Sequence, residues 1–166
     1  MPLDLHGWNY RQAQWTPSHT YAFLAQAATH RLSALYRLIA LRGLRRGEAV
    51  GLRWKDVDLA AGTAGVHWQI TQLGWEPVQG RPKTEASDRT IALDEDTVTA
   101  LRAHRKRQAA ERLIAGEAWA DSGFVFTDEI GLPLHPQQVS DQFSSWPSRW
   151  GCRRCGCTIS AMARPR

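Results

Sequence analysis

Apolar residues in the first fifty positions recur with the spacing of an α-helix. Thr16 and Pro17 are typical of a helix start, because threonine caps free N–H groups and proline is tolerated at the first helical position. A second helix is predicted from about Arg31 to Leu41, and Gly43 is expected to end it. The apolar face of the first helix is expected to consist of Tyr21, Phe23, Leu24 and Ala28.

The pattern changes to β structure after a short third helix, which is predicted over residues 47–52. Val57 opens this β region, and two short strands are predicted around residues 65–71 and 89–93. The polar segment between them, GWEPVQGRPKTEASD, contains glycines and prolines that favour turns over a core strand.

The second half of the chain predicts one long helix, a strand and a last helix. Three acids at residues 94–96 begin a helix that runs to about Ala115, and its basic residues lie farther along, as the helix dipole favours. Residues 124–126 are expected to form a short buried strand. Pro136 is expected to start the last helix, which carries Val139 and Phe143.

Composition places the chain among globular proteins of about one domain. Its 166 residues are 43% hydrophobic and 22% charged. No apolar run approaches the roughly 20 residues that a membrane span needs. The first residues lack the layout of a signal peptide, so we expect a cytoplasmic protein with no membrane contact.

The positive charge is concentrated in the tail. Residues 146–166 hold five arginines and no acid, which equals the whole formal net charge of +5. Attraction to DNA therefore cannot be argued from the net charge of residues 1–145 and needs a local basic patch. All three cysteines lie in the same tail, and no histidine follows them to complete a zinc site, so we expect no metal.

Two basic residues are candidates for phosphate chemistry. Arg45 lies at a turn between two helices, where its planar guanidinium could bind two phosphate oxygens, and Glu48 could hold its orientation from three residues away. Lys83 lies in the polar segment between the two predicted strands, where it could act as a general acid. A solvent-exposed basic pair and a loop lysine are the ordinary alternatives for these residues.

Taken together, LRGLRRGEAVGLRWKDVDL at residues 41–59, the PKT turn at 82–84 and GLPLHP at 131–136 resemble the tyrosine recombinases, the phage integrase family. The resemblance covers about residues 15–145. It implies an α+β fold, mostly helical with a small antiparallel sheet. It also implies that Arg45 grips the scissile phosphate, that Glu48 supports it and that Lys83 protonates the leaving 5′-hydroxyl. The reaction would need no metal or cofactor, and the partner would be double-stranded DNA of the attachment-site type.

The chain departs from that family after the GLPLHP turn. There the family has a His-x-x-Arg-His-like box and then the nucleophilic tyrosine, whereas the tyrosines here are Tyr10, Tyr21 and Tyr36, all before Arg45. The sequence therefore predicts a leader over residues 1–14 and, over 15–145, a partial catalytic domain without its C-terminal helices. Such a domain would be inactive alone and would oligomerise on DNA only as part of a full-length protein.

An incomplete domain of this kind should also be marginally stable. We expect Leu44, Val50 and Phe143 to be left partly uncovered. Two alternatives stay open for its function. One is a non-catalytic DNA-binding or regulatory remnant that uses the basic helix over residues 97–112 and the tail. The other is a product with no function.

Composition changes abruptly at Trp146, which suggests a change of reading frame. When each codon is formed from the last base of one residue and the first two bases of the next, residues 157–165 permit HDLRHGAA, and the glycine is forced. The approach GLPPVRL is permitted just before it. Residues 146–166 are therefore interpreted as an out-of-frame tail. The alternative is a genuine Arg/Cys-rich tail that binds DNA or metal.

Overall fold

The computed structural model describes residues 17–73, 76–80 and 88–145. The predicted leader, the out-of-frame tail and Lys83 lie outside these residues. The five α-helices in the described ranges are α1 (Pro17–Ala27), α2 (Ser33–Arg42), α3 (Arg46–Val50), α4 (Glu95–Ala115) and α5 (Pro136–Ser145). The five strands there are β1 (Val57–Asp58), β2 (Thr63–Val66), β3 (Gln69–Leu73), β4 (Glu76–Gly80) and β5 (Arg89–Ala92).

The strands form two small antiparallel units, so the predicted α+β fold is confirmed. One is a sheet in the order β1-β2-β5, and the other is the β3–β4 hairpin. Pairing of Val66 with Arg89 sets the start of β5 beside the end of β2. The hairpin over β4 was not predicted, because its glycines and prolines were interpreted as turns.

Helix boundaries follow local capping chemistry. Gly43 ends α2 in the left-handed conformation, with φ of 66°, which a residue with a side chain rarely adopts. The Asp94 carboxylate accepts the backbone N–H of Thr97 at the start of α4, at 3.2 Å. α5 begins at Pro136 as predicted.

The short helix α3 packs directly against the hairpin. A Cβ on Gly47 would lie 2.6 Å from the Ile70 carbonyl oxygen, and one on Gly51 would lie 2.8 Å from the Gln69 Cα. Only glycine permits this approach of helix and strand backbones. The arrangement fixes the turn before α3 relative to the hairpin.

Arg53 also contacts the hairpin. Its guanidinium carbon lies 5.4 Å from the centre of the Trp68 ring and 5.0 Å from that of Phe124, and it donates a hydrogen bond to Gln79 Oε1. Cation–π contacts of this kind add to the packing. The hairpin is therefore held to the rest of the fold by side chains as well as by backbone.

The core joins α1, α2 and α3 to the sheet and to the strip of residues 124–126. Leu44 and Val50 are fully buried, so the expectation that they would be partly uncovered is wrong. The helix that carries Val50, α3, contacts α2, β3 and α5. Phe143 is half-buried and meets the Phe23 ring edge-on at 5.1 Å.

Two further expectations need correction. Tyr21 is 69% exposed and Ala28 lies beyond the end of α1, exposed to solvent, so neither belongs to its inward face. Residues 124–126 are buried as predicted but do not form a strand. Phe124 makes only an isolated bridge to Arg53, and the strip is held instead by α4, where Gln108 donates to the Phe124 and Val125 carbonyls.

Within the described part of the chain, no helix combines the length and the apolar character needed to cross a bilayer.

Candidate functional site

Arg45 occupies the extended residue just before α3, with φ of −68° and ψ of 149°. Leu44 beside it is fully buried, whereas the Arg45 side chain is 75% exposed. The buried leucine and the helix start fix the backbone from which the arginine projects. A cation on a fixed base and open to solvent is suited to an anion that approaches from outside.

Glu48 lies beneath this arginine and is only 1% exposed. Its Oε2 accepts the backbone N–H of Arg45 at 3.0 Å, which caps the first turn of α3. The guanidinium of Arg45 is farther away, with Nη1 at 3.6 Å from Oε1. The predicted proximity of Arg45 and Glu48 is confirmed, and the closest contact is to the backbone rather than to the guanidinium.

Arg89 supplies the closer guanidinium. Its Nη2 lies 3.0 Å from Glu48 Oε2, and its Nη1 lies 3.4 Å from Oε1, so that it binds the carboxylate through both nitrogens. No motif in the sequence indicated this residue. The available signal was the alternation along β5, where Arg89 and Ile91 are half-buried and the residues between and after them are exposed.

Arg46 differs from its neighbour in the Arg-Arg pair. Its Nη1 donates to Ser140 Oγ at 2.7 Å and lies 3.4 Å from Gln137 Oε1, so it connects α3 to α5. Arg45 and Arg46 are the same residue type, but their side chains have different surroundings. One tethers a helix, and the other projects into solvent.

Lys83 lies between β4 and β5, in the part of the sequence that the structure leaves undescribed. Its position relative to Arg45 is therefore still a prediction. Asp88, the residue before β5, pairs with His67 Nδ1 at 2.5 Å on an exposed part of the surface.

Four arginines of α4 have partners within the fold. Arg102 donates to the Leu59 carbonyl, Arg107 to the Arg31 carbonyl and Arg112 to Asp121. Arg105 lies over the Trp54 ring at 5.1 Å from its centre. These contacts attach α4 to the rest of the fold. They favour a structural role for these arginines over a dedicated DNA-binding surface on α4.

No cluster of three or more metal-ligating side chains occurs among residues 17–73, 76–80 and 88–145. The site consists of two guanidinium groups, those of Arg45 and Arg89, at the buried Glu48 carboxylate.

Comparison with known proteins places this arrangement in context. The model of the phage integrase family matches residues 16–156. Over 134 residues the chain is 35% identical to a tyrosine recombinase XerC-like protein of Caldanaerobacter subterraneus, a match covering 74% of this chain and 34% of that protein. Over 137 residues it is 31% identical to the ICEBs1 integrase of Bacillus subtilis, covering 81% and 33%.

Solved structures show the same fold. The Tn1549 transposon integrase in complex with transposon right end DNA matches with a TM-score of 0.73 at 19% identity, over 97% of this chain and 53% of that one. The XerA recombinase matches with a TM-score of 0.61 at 16% identity, over 90% and 47%. The chain therefore spans about a third of the length of these curated relatives and about half of the solved chains.

Proposed function

Because the chain belongs to the phage integrase family, we propose that it carries the part of a DNA recombinase that binds the scissile phosphate. The proposed ligand is a phosphate of double-stranded DNA of the attachment-site type. The observation that carries the proposal is the exposed Arg45 guanidinium, which projects from a backbone fixed by the buried Glu48. The DNA-bound integrase among the structural neighbours supports the choice of ligand.

The proposed chemistry is phosphoryl transfer without a metal, in a full-length protein that supplies the attacking tyrosine. The tyrosine oxygen would bond to phosphorus as the bond between phosphorus and the 5′-oxygen breaks. Arg45 would bind two oxygens of the phosphate and stabilise the charge that develops on them in the transition state. Lys83 would give a proton to the leaving 5′-oxygen. Glu48 would act indirectly, by fixing the backbone from which Arg45 projects.

We further propose that no tyrosine in this chain is the nucleophile. Tyr36 is 1% exposed, and burial raises the pKa of its hydroxyl to about 12, which disfavours the phenolate. Tyr10 and Tyr21 precede Arg45 in the chain, whereas the nucleophile of the family follows the GLPLHP region. The chain alone would bind DNA without forming a covalent bond to it. A protein–DNA adduct that survives denaturant, on a nicked duplex, would overturn this.

Residues 146–166 are excluded from the proposed site as an out-of-frame tail, although the family match extends to residue 156. The proposal is tested by the nucleotide sequence around codon 145. We expect the neighbouring frame to encode HDLRHGAA in place of residues 157–165. A neighbouring frame without that box would favour a genuine Arg/Cys-rich tail.

The DNA-binding proposal is tested by titrating a fluorescent duplex at several salt concentrations. Arg45→Ala should lower the magnitude of the slope of log K against log salt by about 0.9, the contribution of one phosphate contact. Arg46→Ala is the matched control, because it removes the same charge at the neighbouring position. Arg46 itself tethers α5. Equal losses in both variants would indicate general attraction and would count against a specific role for Arg45.

A further inference from the structure

We propose that Arg89 is a positioning residue that acts on Arg45 through Glu48. The inference deepens the proposed function and rests on it for its biological meaning, but its geometry is independent of DNA. Arg89 lies at the start of β5 and Arg45 at the start of α3, 44 positions apart in sequence. The two arginines meet at the same carboxylate.

The distances show which arginine holds that carboxylate. Arg89 binds both oxygens of Glu48, at 3.0 and 3.4 Å, whereas the Arg45 guanidinium comes no closer than 3.6 Å in its ion pair with Oε1. Exposure follows the same order, because the Arg89 side chain is 33% exposed and that of Arg45 is 75% exposed. The main partner of Glu48 is thus the less exposed arginine, Arg89.

A buried carboxylate needs a counter-charge, because an unpaired charge in the interior is strongly unfavourable. Among the described residues, the other guanidinium in an ion pair with Glu48 is that of Arg45, whose backbone N–H is also bonded to Glu48. Without Arg89, the Arg45 guanidinium would then move closer than its present 3.6 Å and pair more tightly with the acid. Arg89 prevents this by compensating Glu48, and it thereby keeps the charge of Arg45 directed at solvent.

The orientation of Arg45 can be measured without DNA, by its rate of modification with phenylglyoxal followed by peptide mass spectrometry. Arg89→Gln should slow modification of Arg45 by about two- to fivefold, the range expected for a gained, partly exposed ion pair. Arg89→Lys, which retains the charge, should stay close to the original rate. An unchanged rate in a folded Arg89→Gln protein would overturn the proposal.

Arg89→Gln leaves a buried charge unpaired and can unfold the chain, so the decisive comparison uses a neutral acid. Gln at position 48 can still accept the Arg45 N–H but has no charge to attract its guanidinium. Glu48→Gln and the double variant Glu48→Gln/Arg89→Gln should therefore modify Arg45 at the same rate. A slower rate in the double variant would show that Arg89 acts in some other way.

The same variants separate this proposal from the proposed function. If the phenylglyoxal rates follow the expected order but no variant changes the salt dependence of duplex binding, the positioning role stands and the phosphate-binding role fails. If Arg45→Ala weakens duplex binding but Arg89 has no influence on Arg45 modification, the positioning role alone fails.

Discussion

Two clusters in this fold place one acid between two arginines, and they have different consequences. At the junction of α2 and α4, Asp94 accepts from Arg42 at 2.6 Å and from Arg37 at 3.3 Å. All three side chains there are partly buried. At the start of α3, Glu48 is fully buried, one arginine is partly buried and Arg45 is largely exposed.

The difference lies in what each acid does besides pairing. Asp94 caps α4 through the N–H and hydroxyl of Thr97, so both arginines fasten α2 to a helix start. Glu48 caps α3 through the N–H of Arg45 itself, and Arg89 supplies the countercharge. Whether an arginine beside an acid is structural therefore depends on the other partners of that acid. Where another group supplies the main countercharge, the arginine is a candidate anion ligand.

The largest effect is expected from removing the countercharge of the buried acid. Arg89→Met should lower the free energy of unfolding by about 3 kcal/mol, because Glu48 is left buried without its main partner. Urea denaturation followed by circular dichroism measures this. Arg89→Lys is the control and should cost clearly less. If Arg89→Met lowers the free energy of unfolding by less than about 0.5 kcal/mol, which is usual for surface substitutions, Glu48 does not need Arg89 as a countercharge.

A smaller effect is expected at the other cluster. Asp94→Ala removes the cap of α4 and should cost about 1–2 kcal/mol, within the range measured for helix caps. Asp94→Asn, which retains a capping oxygen, should recover part of that loss in the same urea titration. If Asp94→Asn and Asp94→Ala are equally unstable, the ion pairs rather than the cap dominate this junction.

The Asp94 cluster should also respond to acid. Burial alone would raise the pKa of Asp94, but hydrogen bonds from Thr97 and Arg42 outweigh it and hold the pKa well below its usual range. Because the pKa is lower in the folded state, the stabilisation is complete above the unfolded value of about 4 and is lost as pH falls below it. The stability difference between the original chain and Asp94→Asn should therefore shrink from pH 5 downward. A difference independent of pH would contradict this.

Local chemistry accounts for what the sequence predicted well. Gly43, Asp94 and Pro136 each set a helix boundary through their own backbone or side chain, so α2, α4 and α5 were predicted closely. Arg45 and Glu48 were paired because three residues on a helix bring side chains together.

Long-range pairing accounts for what was missed. Proline and glycine residues made β4 resemble a turn, yet Pro77 pairs with Gln72 in a two-stranded hairpin, where an edge strand tolerates a missing N–H. Arg89 reaches Glu48 only after β5 has paired with β2, and nothing in the spacing of 41 residues indicates that contact. The helix that carries the buried Val50, α3, likewise packs against β3 and α5, which come later in the chain.

The smallest effect on stability is expected for Arg45→Ala, and this sharpens the contrast with Arg89. Both arginines contact the same carboxylate, but the Arg45 guanidinium is largely exposed and lies at 3.6 Å, so its removal should change the free energy of unfolding by less than about 0.5 kcal/mol. Its backbone N–H, which caps α3, is retained in alanine. The measurement is the same urea titration as for Arg89→Met. A cost for Arg45→Ala comparable to that of Arg89→Met would mean that both arginines compensate Glu48 equally, and Arg45 would then belong with Arg37 and Arg42 as a structural residue.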